Sequence, residues 1–291
     1  VGRLLQGSGA IASATMALAA DYTRIEQRTK ASAIIGASIG ISFALALVIG
    51  PVLAAWGGLP RVFEVTAAMG GLGLLVVLFW LPPTPQLSDG GQAHIADRER
   101  LGEALWGRGL GILHASIFCL HLLLMAAFTA IPAVMTQQVG LGPEHHAWVY
   151  LATLCGALPG VAILIRRRRE LADPRPLLVL TVVLTVSGLV MALWATSLMT
   201  LGLGLVLFFA GFTALETILP ALVSIFAPTS LRGTAMGIFS SAQFLGVFSG
   251  GLVGGNALHW GGALGLMSVL GLLTLFWLTA LWRYGRTPAV A

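Results

Sequence analysis

Residues 176–231 read PLLVLTVVLTVSGLVMALWATSLMTLGLGLVLFFAGFTALETILPALVSIFAPTSL, and Glu216 is the only charged residue among them. A membrane-spanning helix needs about 20 consecutive apolar residues. This stretch is too long for one such helix, and the short segment Ala195-Thr196-Ser197 divides it in two. We predict two neighbouring transmembrane helices here, and the same reasoning extends outward to the rest of the chain.

The whole chain has the composition of a membrane protein. Of its 291 residues, 57% are hydrophobic and 9% are charged, whereas about 25% are charged in soluble domains. So few charges cannot cover the surface of a soluble domain of this length, and the remaining apolar surface requires lipid. We therefore predict an all-α polytopic protein whose solvent is the lipid bilayer, and not an enzyme.

Charge-free runs place nine helices along the chain. Further divisions fall at Pro228-Thr229-Ser230 and at Gly254-Gly255-Asn256. Helix length sets the count, because each crossing takes about 20 residues. The predicted helices cover residues 1–20, 31–56, 62–82, 109–136, 145–165, 176–195, 199–222, 234–254 and 260–282.

The basic residues fall in alternate gaps between these helices. All Lys and Arg residues except Arg3 and Arg61 do so. Because basic loops stay on the cytoplasmic side, we place these gaps in the cytoplasm and the helices in a bacterial inner membrane. The first helix then begins outside the cytoplasm and the chain starts with Val1, so we expect further helices upstream.

Several kinds of site are excluded by the motifs that are missing. The sequence contains no phosphate-cradling loop of the type GxxxxGK followed by Ser or Thr, and no CxxC or HExxH pattern. Cys119 and Cys155 lie inside apolar stretches, which argues against a disulfide framework. The basic residues interrupt apolar runs rather than forming one stripe. We predict no metal, no cofactor and no nucleic-acid partner.

An internal repeat relates two distant segments at one constant offset. The identical pairs are Arg28 and Arg232, Ala31 and Ala235, Gly50 and Gly254, and Trp56-Gly57-Gly58 with Trp260-Gly261-Gly262. The two segments lie six predicted helices apart, in the same orientation. A six-helix unit repeated in parallel is an architecture of transporters built from two bundled halves. On this interpretation three helices precede Val1 in the intact protein.

Three stretches carry a resemblance to a known family. Gly2-Arg3-Leu4-Leu5-Gln6-Gly7-Ser8-Gly9-Ala10 resembles the fourth-helix motif of the major facilitator superfamily. Gly36, Gly40 and Gly50-Pro51, followed by Gly57-Gly58, look like its fifth-helix antiporter motif. The segment from Leu215-Glu216 through Arg232-Gly233-Thr234-Ala235-Met236-Gly237 and Gln243-Phe244-Leu245-Gly246 is similar to helices ten and eleven of its bacterial drug:proton antiporter branch.

The resemblance implies an incomplete major facilitator fold with about nine of twelve transmembrane helices. It implies residues 1–82 as the rest of the N-terminal half, 83–108 as a cytoplasmic linker, 109–285 as the C-terminal half and 286–291 as a tail. The implied function is secondary transport by a monomer that exports small amphipathic or lipophilic molecules, driven by the proton gradient. The rivals are a sugar or metabolite permease and a non-transporting scaffold or inactive fragment.

Small residues recur at helical spacing in two of the predicted helices. Such stripes let two membrane helices approach closely, and they serve either static packing or motion. Proline bends a helix, which favours motion, and we predict that 31–56 and 234–254 form the seam between the halves. The proposed conformational residues are Gly36, Gly40, Gly50, Pro51, Gly246, Gly250 and Gly254.

Arg3 lies 18 residues before Asp21, which places it about 27 Å from the cytoplasmic end of its helix. An arginine inside a membrane needs a partner or water. By resemblance it is the motif arginine implicated in proton transfer, with Gln6 one turn further on. The alternative is an interfacial arginine that extends its side chain to water.

Polar residues inside the C-terminal helices are further candidates for the transport pathway. Glu216 is either a protonatable relay or a gate bonded to neighbouring backbone. His114 and His121 are seven residues apart on one face of a helix, where they either take up protons or serve as satisfied polar residues at a helix interface. Gln137, Gln138 and Gln243 are weaker candidates for the cavity wall.

Cytoplasmic loop residues form the last candidate set. The loop between the superfamily's second and third helices carries Gly-Asp-Arg-Gly-Arg, and its weaker copy would fall near Arg166–Arg175, which reads RRRRELADPR here. That difference leaves the conformational latch of the family without its usual residues in this segment. The predicted loop contacts are Asp21, Arg28, Arg232 and Gly233.

Overall fold

The computed structural model describes Thr15, Tyr22 and residues 28–81, 98–170, 173–228 and 231–284. Throughout these residues the regular structure is helical, with no strand. The helices are α1 (Arg28–Trp80), α2 (Arg98–Trp106), α3 (Leu110–Gln137), α4 (Pro143–Glu170), α5 (Arg175–Leu193), α6 (Leu198–Phe226) and α7 (Arg232–Tyr284), with a 3₁₀ turn at Gly107–Gly109.

Six of these helices contain segments long and apolar enough to cross a membrane. The segments are Val52–Trp80, Leu110–Gln137, Pro143–Arg167, Arg175–Leu193, Leu198–Phe226 and Arg232–Arg283. A span needs about 20 residues, so the last segment, at 52 residues, holds enough for two crossings. The chain is a multi-pass membrane protein.

Two glycines break the two longest helices. Gly58 in α1 has φ 69° and ψ −172°, and Gly262 in α7 has φ 57° and ψ −153°. This backbone region is essentially restricted to glycine. Gly58 and Gly262 are partners in the internal repeat found in the sequence. The repeat therefore extends to local backbone geometry, and each break separates two helical pieces.

The helix divisions agree with the prediction at most gaps. α5 ends at Leu193 and α6 begins at Leu198, as the segment 195–197 indicated. The Ser197 hydroxyl accepts a hydrogen bond from the Thr200 amide at 3.2 Å, which caps the N-terminus of α6. α6 ends at Phe226, close to the predicted division at 228–230.

The predicted division at Gly254-Gly255-Asn256 is wrong. α7 continues through these residues and breaks at Gly262 instead. Gly254 packs against α3, where a Cβ on it would lie 2.9 Å from the Ala126 Cα. Small residues at this point serve close helix packing rather than a turn. Of the predicted helix 1–20 only Thr15 is described, so the count of nine remains a prediction.

The chain divides into two compact units, Val1–His94 and Ile95–Ala291. The boundary falls inside the segment 83–108 that we expected to be a linker. Part of that segment forms α2, a short helix in the second unit that the sequence did not indicate. Its Ala104 is fully buried and its Trp106 is exposed, so α2 packs through one face.

Within the second unit α3 packs mainly against α7, and α6 packs against both α4 and α5. The indole nitrogen of Trp277 on α7 donates to the Ser116 hydroxyl on α3 at 2.9 Å, and both residues are buried. Between α5 and α6, Gly188 and Gly204 bring the two backbones together, because a Cβ on Gly204 would lie 2.9 Å from the Gly188 carbonyl oxygen. This glycine contact was not predicted.

Candidate functional site

Three side chains meet at one depth in the second unit. His121 lies about three helical turns after the start of α3, Glu216 about three turns before the end of α6, and Gln243 about three turns after the start of α7. Successive crossings put these three helix ends on the same side. At about 5.4 Å per turn each side chain is about 15 Å along its helix from that end, a distance about half the thickness of a hydrocarbon layer of about 30 Å.

His121 is the centre of this cluster and is 6% exposed. Its Nε2 lies 2.8 Å from the amide nitrogen of Gln243 and 3.5 Å from Oε1 of Glu216. Its Nδ1 lies 3.2 Å from the Ile117 carbonyl oxygen, one turn back on α3. The Phe212 ring meets the imidazole edge-on, with ring centroids 5.7 Å apart. The cluster therefore joins α3, α6 and α7 through one imidazole.

Glu216 has one oxygen in an unfavourable position. Its Oε1 is buried and has no hydrogen-bond partner, since 3.5 Å from His121 is too long for a hydrogen bond. A buried carboxylate oxygen without a donor costs free energy. The side chain as a whole is 32% exposed, so part of it reaches the surface of the unit even though Oε1 does not. One proton added to the His121–Glu216 pair would supply the missing donor.

The backbone of α6 is also weakened at Glu216. Pro220 lies four residues further along the same helix. Proline has no backbone N–H, so the Glu216 carbonyl loses its helical hydrogen bond at this point. The Glu216 side chain thus stands on the turn of α6 that the proline weakens.

A sequence profile described as the Major Facilitator Superfamily matches residues 1–251. The chain belongs to that superfamily. It is 36% identical over 301 residues to the inner membrane transport protein YajR of Escherichia coli (strain K12), a match that covers 100% of this chain and 64% of that protein. It is 29% identical over 262 residues to an uncharacterized transporter of Buchnera aphidicola, covering 88% of this chain and 65% of that protein. The chain thus spans just under two thirds of the length of these relatives.

Gly246, Gly250 and Gly254 form a glycine stripe along α7 that makes close contacts within the second unit. A Cβ on Gly246 would collide with the Phe118 carbonyl oxygen and lie 3.1 Å from the His121 Cβ, and Gly250 meets Leu122 in the same way. With Gly254 against Ala126, the stripe fits the backbone of α3. This packing differs from the seam that we predicted for these glycines, and their part in motion between the halves stays a prediction.

The small residues of α1 have other surroundings. Gly36, Gly40, Gly50 and Pro51 all lie within the helix, which continues through the proline. A Cβ on Gly50 would meet no described atom within 4 Å. No packing among the described residues requires a glycine at this position, so its role in motion stays a prediction.

His114 does not join the cluster. Its Nε2 lies 3.1 Å from the Ala104 carbonyl oxygen at the end of α2, and its Nδ1 is buried without a partner. The ring also faces Phe239 on α7, with centroids 6.3 Å apart. His114 therefore ties α2 to α3 at a helix interface, about 10 Å along α3 from His121.

The remaining candidates divide between described and undescribed residues. Arg232 donates from Nε to the Ser224 carbonyl oxygen at 2.9 Å, bonding the C-terminal turn of α6. Gly233 has open space where a Cβ would stand, and Arg28 begins α1. The candidates outside the described residues are Arg3, Gln6 and Asp21.

Sequence reasoning ranked one part of this site too low and missed another. Gln243 ranked below the histidines because an isolated glutamine shows no periodicity that marks a partner. A chain of aromatic rings also leads away from His121 through Phe212 and Phe208 on α6, with centroids 5.9 Å apart. The chain continues through Phe209, Tyr150 and Phe128. The run Phe208-Phe209 and Phe212 was its only sequence signal.

Proposed function

We propose that the intact protein is a proton-coupled secondary transporter of the bacterial inner membrane that exports small amphipathic or lipophilic molecules. The observation that carries the proposal is the contact of His121 with Glu216, 3.5 Å apart, about three turns inside two apolar helices. Ionisable groups inside a membrane are costly and mark transport or proton pathways. Family membership and the relatives' names support transport itself.

Proton coupling follows from the number of hydrogen-bond donors available to Glu216 and His121. Without an added proton, Oε1 of Glu216 has no donor. With one, the pair satisfies itself and carries less net charge. A site that gains one proton changes its preference between conformations, which is the requirement for coupling a gradient to transport. Since Glu216 is partly exposed, a cavity that opens to either side can deliver that proton.

The substrate class rests on how few polar groups the membrane segments present. The exposed hydroxyls of Thr129, Thr136 and Thr217 bond the carbonyl four residues back in their own helix at 2.8–3.0 Å. A hydroxyl satisfied in this way makes little demand on a ligand. A sugar would require many unsatisfied donors and acceptors. A largely apolar molecule therefore suits these membrane segments better. The direction of transport rests on the antiporter-like motif alone.

The test uses the complete gene product in lipid vesicles with an imposed pH gradient. Tetraphenylphosphonium is the lipophilic probe and glucose is the rival substrate. Gradient-driven movement of tetraphenylphosphonium is expected in the native protein and is expected to be lost in His121→Gln and in Glu216→Gln. Asn256→Leu is the matched control and should transport normally, because among the described residues this exposed amide on α7 donates within its own helix, to the Leu252 carbonyl oxygen.

Three results would count against the proposal. Glucose movement without tetraphenylphosphonium movement would favour a permease. Transport with unchanged pH dependence in both cluster variants would remove proton coupling from this site. No movement of any probe by the complete protein would favour a scaffold.

A further inference from the structure

We propose that Gln243 is a positioning residue that fixes the tautomer of His121 and keeps its Nε2 from Glu216 until a proton arrives. The inference deepens the proposed function, because its consequence for transport rests on proton coupling at this site. It stands on three distances around one imidazole and on the direction in which each hydrogen bond must run.

The first step concerns Nδ1 of His121. Its neighbour at 3.2 Å is the Ile117 carbonyl oxygen. A carbonyl oxygen only accepts hydrogen bonds, so this contact favours the tautomer with hydrogen on Nδ1. In the neutral ring the other nitrogen, Nε2, is then a lone-pair acceptor.

The second step concerns that lone pair. The Gln243 amide nitrogen lies 2.8 Å from Nε2, at hydrogen-bonding distance, whereas the Glu216 oxygen lies 3.5 Å away. The amide N–H donates to Nε2 and occupies it. The two contacts agree on one tautomer, with hydrogen on Nδ1 only.

An added proton changes the hydrogen bonds at Nε2 of His121. When Glu216 is protonated, its O–H bond can break as an N–H bond forms at Nε2 of His121, which leaves a carboxylate beside an imidazolium. The Gln243 amide can no longer donate to Nε2, so it must turn or withdraw. The new N–H then faces Oε1 of Glu216, the oxygen that lacked a donor. Proton transfer within the pair therefore requires Gln243 to move.

The position of Gln243 links that movement to helix packing. It lies three residues before Gly246, where an added Cβ would collide with the Phe118 carbonyl oxygen and lie 3.1 Å from the His121 Cβ. Residues three apart share a helix face, so the amide lies beside a close approach of α7 to α3.

The groups that face His121 come from two other helices. The imidazole contacts Glu216 and Phe212 on α6 and Gln243 on α7. The other titratable groups on α3 itself are His114 and Cys119. Among the described residues, Glu216 is thus the only carboxyl group beside the imidazole.

The experiment measures tautomers directly, without a substrate. The complete protein, labelled with ¹⁵N-histidine and held in lipid nanodiscs, is studied by NMR at alkaline pH, with His121→Gln assigning the His121 signals. We expect His121 to carry hydrogen on Nδ1 and His114 to carry it on Nε2, since His114 Nε2 faces the Ala104 carbonyl. In Gln243→Leu the His121 signals should become a mixture of both tautomers, while those of His114 stay unchanged and report intact folding.

A second variant reverses the hydrogen-bond direction. In Gln243→Glu a carboxylate, which only accepts, faces Nε2, so His121 should gain hydrogen at that nitrogen. The control Asn256→Leu should leave both histidines as in the native protein. Native His121 signals in both Gln243→Leu and Gln243→Glu would overturn the inference, whatever the transport assay gives.

The two proposals fail separately. If the Gln243 variants change the His121 tautomer but Glu216→Gln keeps the native pH dependence of transport, the positioning role stands and proton coupling at this site falls. If transport depends on Glu216 but the tautomer ignores Gln243, proton coupling stands and the positioning role falls.

Discussion

Gly58 and Gly262 hold the same left-handed, extended backbone conformation at equivalent positions of the internal repeat, with φ of 69° and 57°. Side chains rarely adopt this conformation. The last glycine of the repeated Trp-Gly-Gly segment is thus required by the backbone conformation in both copies. Each glycine ends one helix and starts the next without a loop.

The first prediction tests that constraint at Gly262. A Cβ there would meet nothing within 4 Å, so Gly262→Ala introduces backbone strain without a collision. We expect a loss of stability of about 1–3 kcal/mol. The neighbouring Gly261, also in open space, provides the control Gly261→Ala. Thermal unfolding in detergent measures both, and equal midpoints would contradict the prediction.

The second prediction concerns the contact between α3 and α7. Gly246→Ala places a methyl group on the Phe118 carbonyl oxygen, a backbone atom that cannot move aside. Overpacking of this kind costs about 1–3 kcal/mol. Gly251→Ala, on the same helix with nothing within 4 Å, should be nearly neutral. Denaturation midpoints of the two variants decide the matter, and a neutral Gly246→Ala would refute the close contact.

The third prediction concerns the tie between α2 and α3. His114→Phe keeps a ring of similar shape but removes the donor to the Ala104 carbonyl oxygen. We expect α2 to exchange its amide hydrogens faster, because its docking loses this bond. Hydrogen–deuterium exchange over residues 98–106 measures the effect. His145→Phe, at an exposed position, is the control, and unchanged exchange in His114→Phe would show that the bond does not hold α2.

The fourth prediction concerns Gly50. A leucine there has room among the described residues, since a Cβ meets nothing within 4 Å, so Gly50→Leu should insert and fold normally. If this face of α1 must slide during transport, the complete protein should lose transport. Expression level and vesicle flux are measured together. Native flux in a well-folded Gly50→Leu protein would end the proposed role in motion.

The fifth prediction concerns orientation. Arg28 and Arg232 begin α1 and α7 at equivalent positions of the repeat. Two parallel six-helix halves place both residues on the cytoplasmic side. Cysteines at the two positions, in a variant without Cys119 and Cys155, should react only with reagents that reach the cytoplasm. Labelling from opposite sides would disprove the parallel repeat.

Most of the helices could be predicted because membrane insertion is a local property. The apolar run on each side of 195–197 reports its own transfer free energy whatever its neighbours are. The division predicted at Gly254 failed for the opposite reason. A glycine pattern is compatible with a turn or with close packing, and only the presence of Ala126 opposite it distinguishes the two.

Only part of the candidate site could be predicted from the sequence, for a related reason. Glu216 and His121 stood out because ionisable residues are rare in apolar helices. Gln243 is ordinary in sequence, and its importance comes from lying 2.8 Å from an imidazole 122 residues away.

The sequence by itself determined that this chain crosses the membrane repeatedly, which apolar runs are long enough to cross it and that two segments repeat, because hydrophobicity and identity are properties of residues taken in order. Only the tertiary structure decided that the glycine stripe of α7 meets α3, that α2 is a helix held by His114, and that one imidazole joins three helices. Those facts depend on which side chains approach within a few ångströms, and hydropathy along the chain carries no information about that.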